Sequence, residues 1–143
     1  MTLLDYFVVH FGKGKIKSKR FKKAQKNFCY SLAAYSLVQY ALCIKDRHNQ
    51  NIMIDADGHI CHIDYGFLLS NAPGKGFILE APFKLTTENV KVLGGAQGKY
   101  YKLYRDLVKL GFMALQEHAD KIIMLVEMMM LGQKDLPCFR DGD

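Results

Sequence analysis

The 143 residues are half hydrophobic, with 20 basic and 14 acidic side chains and a net charge of +6, which suits one compact domain, or one piece of a larger one, and excludes a disordered chain. The longest apolar run, Ile122 to Leu131, is 10 residues and is broken by Glu127, too short to span a bilayer, and the N-terminus does not read as a signal peptide. Cys29, Cys43, Cys61 and Cys138 form no C-x-x-C pair, so neither a zinc site nor a disulfide framework is indicated, and an intracellular, reduced protein is the expectation.

Thr2 followed by Leu3, Leu4, Tyr6 and Phe7 predicts a short capped helix. A loop follows over residues 12–19, where an unusual charge cluster begins. Lys13, Lys15, Lys17, Lys19, Arg20, Lys22, Lys23 and Lys26 place eight cations and no acid in 14 residues, leaving 12 bases against 14 acids elsewhere. Such a cluster fits either a solvated loop running into a helix or a contact with an anionic surface. From about Phe21 to Ile44 a helix is expected. Phe28, Leu32 and Tyr35 fall on one face and Ala33, Leu37, Tyr40, Ala41 and Ile44 on another, which predicts burial nearly all round.

The pattern then shortens to that of strands. Residues 51–56 and 59–64 are β-rich runs around Asp57-Gly58, a hairpin signal. Residues 67–83 read as a loop containing Pro73, Gly74, Gly76 and Pro82. Thr86 and Thr87 can cap a short helix, which Gly94-Gly95 ends. Leu103, Leu107, Leu110 and Ala114 mark one amphipathic helix and Ile122, Ile123, Val126 and Met130 a second. Helical spacing assigns the methionines to the core. The fold class expected is α+β, mostly helical, with one hairpin and one long loop.

The chemistry concentrates in residues 45–66, where acids, amides and three histidines sit among Ile and Met. If Asp57 and Gly58 are a two-residue turn, paired residue numbers add to 115, and Asn51 lies opposite Asp64 on the neighbouring strand. One amide oxygen and one carboxylate suit Mg²⁺, which takes its remaining ligands from water and substrate phosphates. Asp46, Arg47 and His48 enter the same end of the hairpin, so a metal-dependent phosphoryl-transfer site is the economical reading. An EF-hand reading fails because Ile60 stands where the loop needs Gly. A transition-metal site on His59, Cys61 and His62 is disfavoured because 59 and 61 face away from 62 in a strand.

Asp-Arg-His-Asn-x-Asn at 46–51 and Gly-His-Ile-x-His-Ile-Asp-x-Gly at 58–66 resemble the phosphatidylinositol 3-/4-kinase superfamily. Leu-Leu-Asp-Tyr-Phe at 3–7, Phe-Lys-Leu-Thr-Thr-Glu at 83–88, Gly-Gly at 94–95 and Leu-Pro-Cys-Phe at 136–139 extend the resemblance to the 4-kinases of the type III beta class. It implies the C-terminal lobe of a protein kinase-like fold across residues 1–143, with a catalytic loop near 43–51 and an activation loop near 62–86. The resemblance further implies Asn51 and Asp64 as ligands of Mg²⁺ (or Mn²⁺), Met53 and Ile63 against the adenine of ATP, and Asp46 or His48 as base. Of those two, His48 has the intrinsic pKa better suited to work near neutral pH. The resemblance also implies that Arg47 ties the loops together and that Lys75 and Lys84 on the activation loop meet the inositol headgroup.

The reaction implied is transfer of the ATP γ-phosphate to the 4-hydroxyl of phosphatidylinositol, by a cytoplasmic enzyme peripheral on Golgi-type membranes. Lys13 to Lys26 is the candidate membrane contact, and no nucleic-acid partner is expected. Tyr65 stands where Phe is usual, Gln50 where these 4-kinases usually have Gly, and residues 13–26 are more cationic than the corresponding family segment. No glycine-rich phosphate loop or phosphate-binding Lys precedes Leu3, and the family's terminal helices do not follow Asp143. The expectation is therefore half of a nucleotide cleft, inactive alone. The alternatives are a protein kinase of a related branch and a non-catalytic interaction module.

Overall fold

The computed structural model of the chain describes residues 1–72 and 81–139. Thr2 caps the first helix, α1 (Leu3–His10): its hydroxyl accepts from the Asp5 N–H at 3.2 Å, and the Asp5 carboxylate accepts from the Thr2 N–H at 2.9 Å. This reciprocal pair satisfies two otherwise orphaned donors. The helix delivers Phe7 and Phe11 into the core, where the Phe7 ring lies 5.2 Å from that of Phe28.

Ser18 caps the second helix, α2 (Lys19–Ala41), through the Phe21 N–H. Phe21, Ala24, Phe28 and Leu32 are buried along it. Burial nearly all round is not what the structure shows. Tyr30, Val38 and Tyr40 are 42–45% exposed, because neighbouring elements cover two sides of the helix and leave a third open. The helix also stops at Ala41, not Ile44. Cys43 turns the chain with φ 49°, and the Ile44 N–H folds back onto the Gln39 carbonyl at 3.0 Å.

Strands β1 (Ile52–Ile54) and β2 (Ile60–His62) form the antiparallel hairpin. Its register is one residue away from the two-residue-turn expectation. Ile52 pairs with His62 and Ile54 with Ile60, and the Asp55 N–H continues the ladder onto the His59 carbonyl at 2.9 Å. Three residues therefore make the turn, ending in a left-handed Gly58 at φ 90°, the three-residue hairpin geometry. Two contacts select it. The Asp55 carboxylate accepts from the Asp57 and His59 N–H groups, each at 2.9 Å. Gly58 also lies so close to α2 that a Cβ there would sit 2.7 Å from the Ala24 Cβ. Ile60 and His62 are buried against α2, whereas Met53, Cys61 and Ile63 share the exposed face.

Thr86 caps the short helix α3 (Thr87–Val92), which ends at Gly94 and Gly95, both with positive φ. The long helix α4 (Lys99–Glu117) packs on α2. The Ser36 hydroxyl and Tyr104 hydroxyl meet at 2.9 Å in the core, and the Cys29 thiol donates to the Tyr100 carbonyl. Gly111 permits the approach, since a Cβ there would collide with Leu37. The packed face runs through Tyr100, Tyr104, Val108 and Gly111, so Leu103 and Leu107 are half-buried but Leu110 and Ala114, also expected inside, are exposed.

The last long helix, α5 (Ala119–Met130), buries no residue. Met124, Met128 and Met129 are 53–58% exposed, as is Met113 on α4, which corrects the assignment of the methionines to the core. Helical spacing reports that a face exists, not what covers it. Among the described residues no helix is long and apolar enough to cross a membrane.

Candidate active site at the open end of the hairpin

The shifted register sets Asn51 opposite Ile63, whose N–H reaches the Asn51 carbonyl at 3.0 Å. Asp64 lies one residue beyond, so the two remain neighbours without being cross-strand partners. Asn51 is 6% exposed, and its Nδ2 donates to the Asp46 carbonyl at 2.8 Å. Turning the amide nitrogen inward fixes the direction of Oδ1, which receives no donor among the described residues. Asp64 has φ 59°, a left-handed conformation uncommon outside glycine. Its Oδ1 accepts from the Gly66 N–H at 3.1 Å, a local turn that Asp tolerates better than most residues. Its other oxygen receives no protein donor among the described residues.

Arg47 organises this end. It is 3% exposed and directs its donors at backbone carbonyls: Nε at Lys45 (2.9 Å), Nη1 at Ile63 (2.7 Å) and Nη2 at Asp64. One buried cation thus ties the loop before β1 to the loop after β2. Its guanidinium carbon lies 5.7 Å from the Tyr65 ring, and the Tyr65 hydroxyl donates to the His62 carbonyl at 3.0 Å. Backbone bonds from Lys45 N–H to the Phe67 carbonyl and from Leu69 N–H to the Leu42 carbonyl, each 2.9 Å, continue the junction.

His48 sits between two donors. Its Nδ1 accepts from the Gln50 N–H at 3.2 Å, and its Nε2 lies 3.3 Å from Asn51 Nδ2 and 3.7 Å from Asp46 Oδ2. Gln50 acts here through its backbone. Asp46, also left-handed at φ 59°, shares with Arg47, His48, Gln39, Ala81 and Lys84 a cleft of about 300 Å³. The Lys84 ammonium donates to the Arg47 carbonyl at 2.8 Å, so this residue braces the backbone of the loop before β1 at the cleft wall. A cavity of about 820 Å³ under the inner face of the hairpin includes neither Asp46, His48 nor Asp64.

The remaining sequence candidates separate. Met53 and Ile63 share the outer hairpin face, away from the core. Lys75 lies outside the described residues. His59 pairs with Asp55 on the turn at 2.8 Å. His62 is buried against Tyr35, ring to ring at 4.3 Å, and burial, helped by the Arg47 charge, depresses its pKa to about 4, leaving it neutral. Among the described residues no three His, Cys, Asp or Glu side chains converge as a metal cluster. Asn51 Oδ1 and the Asp64 carboxylate are hard oxygen donors and few in number. That suits Mg²⁺, which keeps waters and completes its shell with substrate phosphates.

The family described as phosphatidylinositol 3- and 4-kinase matches residues 1–140. Phosphatidylinositol 4-kinase PIK1a of Candida albicans is 51% identical over 142 residues, covering 99% of this chain and 14% of that protein. Phosphatidylinositol 4-kinase pik1 of Schizosaccharomyces pombe is 46% identical over 143 residues, covering all of this chain and 16% of its own length. Phosphatidylinositol 4-kinase beta of Sorex araneus is 46% identical over 139 residues, covering 97% of this chain and 17% of its own. The chain belongs to the phosphatidylinositol 3- and 4-kinase family. It spans 14–17% of the length of these relatives.

Proposed function

We propose that residues 1–143 are the C-terminal lobe of a lipid kinase that transfers the γ-phosphate of ATP to the 4-hydroxyl of phosphatidylinositol. The observation that carries this reading is that Asn51, Asp46 and His48 are bonded together at one end of the hairpin, while Arg47, between Asp46 and His48, holds the backbone of Asp64. Bound there, Mg²⁺ (or Mn²⁺) supplies charge neutralisation on the transferring phosphoryl group. Asn51 and Asp64 hold it, and Arg47 holds Asp64. Met53 and Ile63 present an apolar surface to the adenine.

The acceptor hydroxyl enters the cleft beside Asp46 and His48. The oxygen attacks phosphorus, the bond to the ADP oxygen breaks, and the hydroxyl proton passes to the Asp46–His48 pair. A loose transition state needs little early deprotonation, so a carboxylate suffices. The His48 Nδ1 is already engaged by the Gln50 N–H, whereas a carboxylate offers several acceptor positions, which leaves Asp46 the freer acceptor.

Substrate choice follows from charge. Between Phe67 and Phe83 the only cation is Lys75 and the only acid Glu80. A headgroup with two monoester phosphates carries roughly −3 to −4 and calls for several Arg or Lys partners. Lys75 and the braced Lys84 suit a lipid with only its phosphodiester charge. The enzyme works as a peripheral protein on the cytoplasmic face of Golgi-type membranes in this reading.

Product analysis of the full-length protein with ATP, Mg²⁺ and phosphatidylinositol tests it, the expected product being phosphatidylinositol 4-phosphate. Faster turnover of phosphatidylinositol 4,5-bisphosphate, or of a peptide, would overturn it.

A further inference from the structure

Lys13, Lys15, Lys17, Lys19, Arg20, Lys22, Lys23 and Lys26 are all exposed. Of these eight, Lys23 is the only one that pairs with an acid among the described residues, Asp57 at 3.2 Å, and Lys26 rests over the Tyr30 ring at 5.6 Å. Seven cations therefore crowd one end of the molecule with no acidic partner among the described residues, a repulsive arrangement in isolation.

The segment is also ordered by its backbone, unlike a loosely solvated loop. Gly14 N–H reaches the Val8 carbonyl and Lys15 N–H the Gly12 carbonyl, each at 3.0 Å. Ser18 N–H closes a turn on the Lys15 carbonyl at 3.1 Å, which leaves Ile16 and Lys17 at its tip. Ile16 is 57% exposed there, an apolar side chain flanked on both sides by lysines.

We propose that this end of the molecule is a docking surface for an anionic lipid bilayer, with Ile16 inserted at the headgroup level and the lysines against the lipid charge. The proposal rests on the lipid-kinase reading for its choice of a membrane over other polyanions. The composition agrees with that choice. An apolar tip has a place in a bilayer, whereas single-stranded nucleic acid calls for a run of exposed aromatic platforms, and the turn between Gly12 and Arg20 has no aromatic residue while the nearby Tyr30 ring lies under Lys26.

The position of the surface defines its role. It sits beside the closed end of the hairpin, through Lys23 and Asn27 to Asp57, while the catalytic loop follows the other end of α2. That helix has 23 residues, about 34 Å at 1.5 Å each. The surface thus holds the protein at the membrane without touching the reacting groups. Its loss raises the apparent KM for bilayer substrate and leaves kcat unchanged.

The test uses the full-length protein with Lys15, Lys17 and Lys19 all changed to Glu, and separately with Ile16→Ser. Each is measured for partition onto phosphatidylcholine vesicles with and without phosphatidylserine. Each near-surface cation contributes roughly fivefold to binding, so triple reversal should cost about a hundredfold or more, and the loss should shrink as salt is raised. Ile16→Ser should cost several-fold at every salt concentration. Turnover of detergent-dispersed phosphatidylinositol should stay unchanged in both variants.

Unaltered vesicle partition overturns the proposal, as does tighter binding of the unchanged protein to a nucleic-acid duplex than to phosphatidylserine vesicles. The two readings fail separately. Absence of phosphatidylinositol 4-phosphate from the dispersed assay of the unchanged protein sinks the lipid-kinase reading, while the partition measurement still decides the surface.

Discussion

The two ends of one short hairpin are built on opposite terms. At the closed end every local preference agrees with the fold: Asp55 caps its own turn, Gly58 takes the positive φ, and its missing Cβ lets the turn rest on Ala24. At the open end Asp46 and Asp64 adopt left-handed backbone without being glycine, and a buried Arg47 satisfies carbonyls instead of an acid. Strained backbone of this kind costs about 1–3 kcal/mol per residue and persists only where surrounding contacts over-determine it. The contrast teaches that the closed end is optimised for folding and the open end for holding particular oxygens in place.

The largest expected effect breaks the open end at its chemistry. In the full-length protein Asp64→Ala should abolish Mg²⁺-dependent turnover, and Asn51→Ala should weaken it strongly. Removing one charge-stabilising group typically costs about 3–4 kcal/mol, or roughly 10²–10³ in rate. Near-wild-type turnover in either variant would remove the metal assignment. Next is the clamp. Arg47→Met should leave up to three carbonyls without their donor, each worth about 1–3 kcal/mol when buried. Hydrogen exchange around residues 62–66 should accelerate well before the amides of α2 do. Uniform destabilisation of the whole chain would show instead that Arg47 supports the fold at large.

The closed end should respond in the opposite sense. Gly58→Ala places a methyl group against Ala24 at a φ that L-residues disfavour, costing about 2 kcal/mol or more of stability. Thermal unfolding would read the loss. The folded fraction should keep its turnover and Mg²⁺ dependence, since no group at the open end is touched. A changed Mg²⁺ requirement would mean that the two ends are coupled through the strands.

Legibility in the sequence followed the same division. Asp57-Gly58 announced a hairpin, but two-residue and three-residue turns carry the same dipeptide; the close approach of Gly58 to Ala24, a long-range contact, decided between them. The expected pairing of Asn51 with Asp64 was therefore off by one: Asn51 bonds Ile63, and Asp64 follows it in the chain. The helices were legible from period and caps, while Leu110, Ala114 and the methionines were misplaced because amphipathic spacing does not say which neighbour arrives. Asp46, His48, Asn51 and Asp64 were singled out from motif and residue type. That Arg47 ties the two loops was implied by the family resemblance, but its particular partners were not recoverable, since a buried Arg usually signals an acid and here it meets the Ile63 and Asp64 carbonyls. Tyr65 did carry a signal, the extra hydroxyl at a position where Phe was expected.

That hydroxyl supplies the smallest and sharpest test of how the open end is held. Among the described residues Arg47 alone donates to the Ile63 and Asp64 carbonyls, and Tyr65 adds a bond to the His62 carbonyl and a ring face to the guanidinium. If the two act together, Tyr65→Phe removes one hydrogen bond and keeps the ring, a loss of about 1 kcal/mol. The folded state should barely change, because Tyr65 is 44% exposed and its ring packs as before. The loss should appear as a Mg²⁺ requirement raised about fivefold, with maximal turnover at saturating Mg²⁺ nearly restored, since Asp64 is then less often in its binding conformation. An unchanged Mg²⁺ titration would mean that Arg47 by itself fixes Asp64 and that the hydroxyl is incidental. A drop in maximal turnover that excess Mg²⁺ does not repair would place Tyr65 nearer the chemistry than its hydrogen bond implies.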